Sequence, residues 1–345
     1  MGVLNNEVEF FGLDVGTTAI RLVQLRRKAS TPVLVAYNEI EVPDNVTSTD
    51  STEDRGRTVQ LIKQLVKDSG VSTKNVVAGL PSDKVFASLI STPKLGEAEL
   101  ASAVRYQADQ YIPMALDEVK LDWAVVGPGT KPEDQDVLLL AAPNSLASKY
   151  LSMMEEAGLE IVALETDGLA LSRSMVHAND TPALVVEVGT NTSTLVAVLD
   201  GAPRLIRSVP VGGAVFNRTV AQKLKLQDAQ AEQFIRKFGM TQDKLEGEVY
   251  KALKPTVDSL VAEIVNSAKF FVERYPQTKL TKIILTGGSS QPPEFPAYLA
   301  NNTNLPVEIG NPWTRVAYPS NQQNDLNSVA NHYGVAVGLA MRGMA

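Results

Sequence analysis

One motif occurs twice in this chain. FGLDVGTTAIRLVQL near the N-terminus returns in altered form as LVVEVGTNTSTLVAV in the second half. Each copy is an apolar run, an acid, one further residue, a glycine with hydroxyl or amide side chains, and a second apolar run. That pattern reads as two strands joined by a tight turn. Asp14, Gly16 and Thr17 find counterparts in Glu187, Gly189 and Thr190 at a constant offset. Two such hairpins predict two related halves that face each other across a shared anionic ligand.

The rest of the chain supports a duplicated α/β plan. In the first half, strands fill 8–41, a Ser/Thr-rich loop runs over 44–54, and Val59, Ile62, Leu65 and Val66 mark one face of a helix. A buried strand at 75–80 follows. Residues 84–160 read as a compact α/β insert: a strand at 84–91, a helix with Leu100, Val104, Ala108, Tyr111 and Ile112 on one face, a hairpin of 122–126 with 137–142, and a helix at 146–157 stopped by Gly158. A strand at 161–164 and a helix at 169–177 close the half. The second half repeats strand, strand and helix: a strand at 204–210 runs into Gly212-Gly213, helices follow at 214–223, 229–238 and 246–275, and a strand at 282–285 delivers Thr286-Gly287-Gly288-Ser289. A helix at 296–301, a strand near Val307 and a final helix over 328–342 complete it. No long linker or low-complexity stretch divides the halves, so a cleft between them is the simplest ligand site.

Composition removes several function classes. With no cysteine, the chain has no disulfide, thiolate metal site, iron–sulfur cluster or cysteine nucleophile. Two histidines, His177 and His332, cannot make a histidine-rich metal site and argue against a Ser-His-Asp triad. A net charge of −7 disfavours a dedicated nucleic-acid binder. No run approaches the roughly 18 apolar residues of a membrane span, and MGVLNNEVEFFG lacks the basic-then-apolar order of a secretory signal. Asn6 stands where a myristoylation motif needs Ser or Thr. A cytoplasmic location is the expectation.

The turns suggest their chemistry. Glycine lets a backbone approach phosphate oxygens, successive N–H groups can point at one anion, and hydroxyls add hydrogen bonds. Gly16, Thr17 and Thr18 suit that role, as do Gly189, Thr190, Asn191 and Thr192. An acid beside a phosphate needs an intervening cation, so Asp14 and Glu187 imply Mg²⁺, held through its waters. Gly287-Gly288, between a buried strand and a helix, offers a third close approach, suited to a nucleotide's base or sugar. Three such motifs in this order point to a nucleotide.

The ordered set resembles the actin/Hsp70/sugar-kinase superfamily, whose members bind ATP between two halves. The resemblance identifies the first hairpin with that superfamily's phosphate 1 element, the second with phosphate 2, and the glycine pair, with Ser289, with its adenosine motif. LETDGLALSR and GVAVGLAMRG fall where its two connecting segments belong. The insert sits as in FtsA and its relatives. RYQADQYIPMALDEVKLDW, DVLLLAAPNSLASKYLSMMEEAGL, NPWTRV and the terminal GLAMRG are similar to the PilM family of type IV pilus assembly proteins.

This resemblance implies an actin-like (ribonuclease H-like) α/β fold of duplicated βββαβα domains with a small insert subdomain. It implies a subdomain 1A of 8–83 and 161–181 with the helix 328–342, an insert 1C of 84–160, a 2A of 182–213 and 255–327, and a 2B of 214–254. It also implies ATP as ligand, and as partner the N-terminal cytoplasmic peptide of the inner-membrane protein PilN, seated between the insert and the first subdomain. Recruitment to the inner membrane would then run through that peptide. The chain shows no terminal amphipathic helix of the kind with which FtsA binds membrane.

Within that frame the site residues are as follows. Gly212 and Gly213 join the phosphate turns, and Glu232 and Arg236, four apart on one helix face, either flank the adenosine or form a plain surface ion pair. Asp167 is the candidate for polarising an attacking water, with Glu165 as alternative; both also fit helix-capping acids. Glu187 stands where the superfamily has aspartate. Its extra methylene displaces the carboxylate by about 1.5 Å, and a misplacement of about 1 Å can cost roughly 100-fold in rate, so binding is expected to survive better than hydrolysis. Arg105, Tyr106, Gln110, Tyr111 and Ile112 are candidates for the peptide groove, although Tyr111 and Ile112 equally fit the insert's core. Trp313 reads as packing. A small-molecule kinase needs a further general base in a polar pocket, which the motifs do not supply; a filament-forming protein of the same fold remains an alternative.

Overall fold

The computed structural model describes residues 8–28, 31–49 and 51–344. The first half opens with an antiparallel meander of β1 (Phe11–Val15), β2 (Ala19–Lys28) and β3 (Thr31–Glu41), followed by α1 (Thr52–Ser69) and β4 (Asn75–Leu80). The insert comprises β5 (Phe86–Pro93), α2 (Glu97–Tyr111), β6 (Val119–Pro128), β7 (Asp134–Pro143) and α3 (Asn144–Glu156). β8 (Glu160–Thr166) and α4 (Asp167–Met175) return to the first half. The second half holds β9 (Ala183–Val188), β10 (Ser193–Leu199), β11 (Ala202–Val209), α5 (Gly213–Leu224), α6 (Asp228–Phe238), α7 (Glu248–Arg274), β12 (Lys282–Thr286), α8 (Phe295–Thr303) and β13 (Val307–Ile309). α9 (Gln323–Val329) and α10 (Gly334–Ala340) end the chain's ordered elements.

The two halves share one topology. Their five-stranded sheets run β3-β2-β1-β4-β8 and β11-β10-β9-β12-β13. In each, the hairpin-linked strands are antiparallel and the last two join in parallel. The insert contributes a separate antiparallel sheet, β5-β7-β6.

Burial explains how the halves stay together. α4 and α10 lie between the two large sheets, and Ala170, Leu171, Val335 and Leu339 pack against Val77 on one side and Val185 and Val196 on the other. Small residues permit that closeness. A Cβ on Gly338 would fall 1.9 Å from the Ala170 carbonyl oxygen, and one on Gly12 would fall 2.5 Å from that of Ala336. α3, although it follows the insert's last strand, sends Tyr150, Met153 and Met154 into the core of the first half.

Three local readings change. The segment expected as a loop over 44–54 contains a 3-10 helix, Pro43–Ser48, and then the start of α1, where the Ser51 hydroxyl caps Asp54. The final helix expected over 328–342 is broken at Ala330–His332. There the Asn331 carbonyl leaves the helix ladder to accept from the Gly287 N–H at 2.9 Å and the Thr286 hydroxyl at 3.1 Å. α7 begins at Glu248 rather than 246, because Leu245, Glu246 and Gly247 all have left-handed backbones.

Candidate functional site

The first turn, between β1 and β2, is pinned from behind. The Thr47 hydroxyl donates to the Gly16 carbonyl at 3.0 Å and the Val42 N–H to that of Thr18 at 2.9 Å. A Cβ on Gly16 would lie 2.7 Å from the Ala19 oxygen, so only glycine fits. Among the described residues the N–H groups of Thr17 and Thr18 have no protein acceptor.

The second turn is built more heavily. Gly189 N–H donates to Thr192 O at 3.0 Å, Gly213 N–H to Gly189 O at 3.0 Å and Ala214 N–H to Thr190 O at 2.8 Å. The start of α5 is thereby clamped onto the turn. A Cβ on Gly212 would meet Thr190 O at 2.6 Å, and one on Gly213 would meet the Ser289 hydroxyl at 2.2 Å. The third glycine motif closes on the same strand end: Ser289 N–H donates to Val188 O at 3.0 Å, and Gly287, at φ 96°, leaves no room for a Cβ beside that oxygen. Gly288 has open space on its Cβ side. The structure thus brings Gly189, Thr190, Asn191, Thr192, Gly212, Gly213, Gly287, Gly288 and Ser289 into one neighbourhood. The N–H groups of Thr190, Asn191 and Thr192 have no acceptor among the described residues, which is the arrangement that anion binding requires.

Acids from both halves face each other beside these turns. Asp14 is the penultimate residue of β1, Glu187 lies on β9, and Asp167 opens α4 with its Oδ1 against Gly79 of β4. Burial pushes Asp14 up to about 6, moderated by Arg21. Burial, then the charge of Asp14, pushes Glu187 up to about 7, while a hydrogen bond with Thr194 and the charge of Arg21 work against it. Asp167 is raised well above the usual range by burial and by Asp14, Glu187 and Asp83. Such carboxylates repel one another and bind protons or cations in preference to staying bare. Among the described residues no three acid or imidazole groups close to direct metal-ligating spacing. The donor set therefore fits a hydrated Mg²⁺ reached through water, not one held in a protein cage.

Three residues beyond the candidates named from the sequence belong to this region. Arg21 sits directly opposite Asp14 on β2, donates to Glu39 at 2.9 Å and lies over the Tyr333 ring. Asp83 adds its charge to the same cluster, and Tyr150 is raised by burial and then by the charges of Asp167, Asp14 and Asp83. Tyr150 reaches it from α3. The turn length between β1 and β2 is the available signal for Arg21; for Tyr150 the sequence offers only its place in a helix.

Other candidates do not join the cluster. Glu165 is buried, and its two oxygens accept from Arg173 at 2.6 Å and from Arg342. Both oxygens are engaged in that ion pair, so Glu165 does not stand in for Asp167. Glu232 and Arg236 pair with each other at 2.7 Å on the exposed face of α6, although the charge of Arg236 also bears on His332 in the other half. In the insert, Arg105, Tyr106, Gln110 and Tyr111 are exposed on α2, whereas Ile112 is buried with Val104 and Val119 and cannot line an open groove. Trp313 is buried against Tyr37 and Tyr333 as packing.

With this geometry established, comparison with known proteins places the chain. The family model for type IV pilus assembly protein PilM matches residues 12–344. The structure of a PilM–PilN type IV pilus biogenesis complex superposes with a TM-score of 0.83 at 27% identity, covering 98% of this chain and 99% of that one. The ethanolamine utilization protein EutJ from Carboxydothermus hydrogenoformans (TM-score 0.58, 15% identity, 96% and 89% covered) shares the fold. So does MreB5 of Spiroplasma citri bound to AMPPNP (0.54, 13%, 98% and 96%). The fold is actin-like.

Proposed function

The chain belongs to the PilM family of type IV pilus assembly proteins, and from that premise we propose that it docks the N-terminal cytoplasmic peptide of PilN and binds Mg-ATP between its halves. The observation that carries the partner is the similarity to a PilM–PilN complex over nearly the full length of both chains. Among the described residues no helix is long and apolar enough to cross a membrane, so in this reading the attachment to the inner membrane runs through PilN. Arg105, Tyr106, Gln110 and Tyr111 on the exposed face of α2 are offered as part of the peptide surface.

For the nucleotide, the uncommitted N–H groups of the two turns support phosphate binding, and Gly288 gives the base or sugar an unobstructed approach. Asp14 and Glu187 would hold Mg²⁺ through its waters, and the metal would supply the charge that lets a triphosphate sit among carboxylates. Asp167, whose carboxyl burial and then the neighbouring acids hold well above the usual carboxylate range, would be the candidate for polarising an attacking water at the cleft. Gly212 and Gly213 act by supporting the second turn. Glu232 and Arg236 would border the adenosine from α6.

Titration calorimetry of the full chain with a synthetic PilN N-terminal peptide tests the partner. A saturable 1:1 isotherm is expected, and absence of heat at high concentration would refute it. Asp14→Ala should weaken Mg-ATP binding while leaving peptide binding in place; equal Mg-ATP affinity removes the metal role.

A further inference from the structure

The insert touches the second half through side chains that neither the phosphate turns nor the α2 surface uses. Asp136 of β7 is fully buried and accepts from Arg274 Nη2 at 2.8 Å and from the Tyr275 hydroxyl, both at the end of α7. Arg204 of β11 is 2% exposed, and its guanidinium lies over the Tyr275 ring. It also presses on Gly127 of β6, where a Cβ would come within 2.3 Å of Nη2.

Both backbones are bent to make this contact. Ala197 pairs with Leu205 but Val198 pairs with Pro203, so Arg204 is the extra residue of a bulge. Val125 pairs with Val137 and Gly127 with Asp136, so Val126 is the extra residue of another. Gly127 itself has φ 149°. Bulges re-aim side chains out of the regular alternation of a strand, and here two of them meet.

The chemistry is that of a contact that can separate. The Asp136 carboxylate pairs with one guanidinium, that of Arg274, while that of Arg204 stands over the Tyr275 ring, and Arg204 Nε, Arg204 Nη1 and Arg274 Nε are buried without protein partners. A buried ion pair is a poor way to gain stability compared with apolar packing. The insert's other attachment is of a different kind. α3 is embedded in the first half by Tyr150, Met153 and Met154, with Glu156 paired to Arg55 and Lys149 donating to Thr49 O at 3.1 Å. One end of the insert is therefore built into the first half, and the other is fastened to the second by charge.

We propose that Asp136, with Arg204, Arg274 and Tyr275, is a latch that holds the insert on the second half, and that its release lets the insert swing about α3. Asp136 is thus a positioning residue for the peptide surface on α2, a consequence that rests on the function proposed above. A change in the separation of the halves would then be felt by the insert.

The absence of cysteine makes a distance measurement direct. Spin labels at Lys131→Cys, in the β6–β7 loop, and Lys279→Cys, after α7, are both at exposed positions. Double electron–electron resonance on the full-length chain should give one narrow distance. Asp136→Asn should add a longer, broader component, its population raised about tenfold or more by loss of a charge-assisted bond. Tyr275→Phe, which removes one hydroxyl and leaves every charge in place, should do the same more weakly and covers the case in which Asp136→Asn does not fold. Distributions for both folded variants that superimpose on the parent's would overturn the latch. The readout needs neither peptide nor nucleotide, so failure of the proposed function would leave it intact.

Discussion

Replacing Glu187 with glutamine tests whether the cleft acids are held against their tendency to ionise. The side chain keeps its length, and its amide oxygen can still accept from Thr194. Glu187 is pushed from an ordinary value of 4.5 up to about 7 in the folded protein, first by burial and then by Asp14. Between those two values the native state holds a proton that the unfolded chain has released, so native stability falls as pH rises. It is fully present below the unfolded value and lost progressively up to about pH 7. At about 1.36 kcal/mol per pKa unit, the ionised side chain costs the ligand-free protein about 3 kcal/mol by pH 8. Glutamine never ionises. Urea unfolding followed by circular dichroism should give equal midpoints for parent and Glu187→Gln near pH 4.5. At pH 8 the variant should be the more stable, by about 1 M urea if m is about 3 kcal/mol/M. Equal midpoints at pH 8 would refute the reasoning, because they would mean that the carboxylate is solvated or neutralised without help.

Two further substitutions separate architecture from binding. Gly287→Ala should destabilise the second half by about 1–3 kcal/mol, because its backbone has φ 96° and a Cβ would come 2.4 Å from the Val188 oxygen, whereas Gly288→Ala meets nothing within 4 Å and should melt like the parent while binding nucleotide more weakly; thermal denaturation and an ATP-analogue titration read the two effects. Glu165→Ala should cost about 1–3 kcal/mol by removing charge-assisted bonds to Arg173 and Arg342, which keep access to water, with the full effect seen in denaturant titration and no direct loss of nucleotide contacts in the folded variant.

How much of this was legible depended on whether the cause was local. Hairpin turns are set by a few adjacent residues, so the repeated D-x-G-T and E-x-G-T segments located both turns and their order. The duplicated sheet followed from strand lengths and breaks. The final helix was misread because its interruption is caused by Gly287 and Thr286, which draw the Asn331 carbonyl away from more than 40 residues off in sequence. In α2 the chain leaves helical geometry at Ile112, which turns into the core, and Tyr111 is left 51% exposed. Arg204 was invisible for the same reason in reverse. A charged residue in a strand reads as solvent-facing, and only the bulge and the insert packed over it make it one of the most buried side chains in the protein.

The charges around the cleft also bear on the difference between its two hairpins. Asp14, Asp83, Asp167 and Glu187 act on one another or on Asp167, and the guanidinium that opposes them, Arg21, is already engaged by Glu39. Backbone N–H groups at the turns are neutral donors; they can orient a triphosphate but cannot offset its charge. On the function proposed above, a cation would accompany a nucleotide bound at these turns, and the acids would explain why it stays. Since no three of these groups reach direct ligating spacing among the described residues, they form no protein cage, and Mg²⁺ bound here would keep several waters between itself and the carboxylates. A carboxylate that acts through water can be displaced by one carbon–carbon bond, about 1.5 Å, while the intervening water shifts to compensate. Glutamate in place of aspartate at position 187 is then compatible with metal-dependent binding. In-line attack by a positioned water lacks that tolerance, because the reacting atoms must sit within about 3–3.5 Å. On the function proposed above, the methylene at position 187 is then expected to weigh more on turnover than on binding.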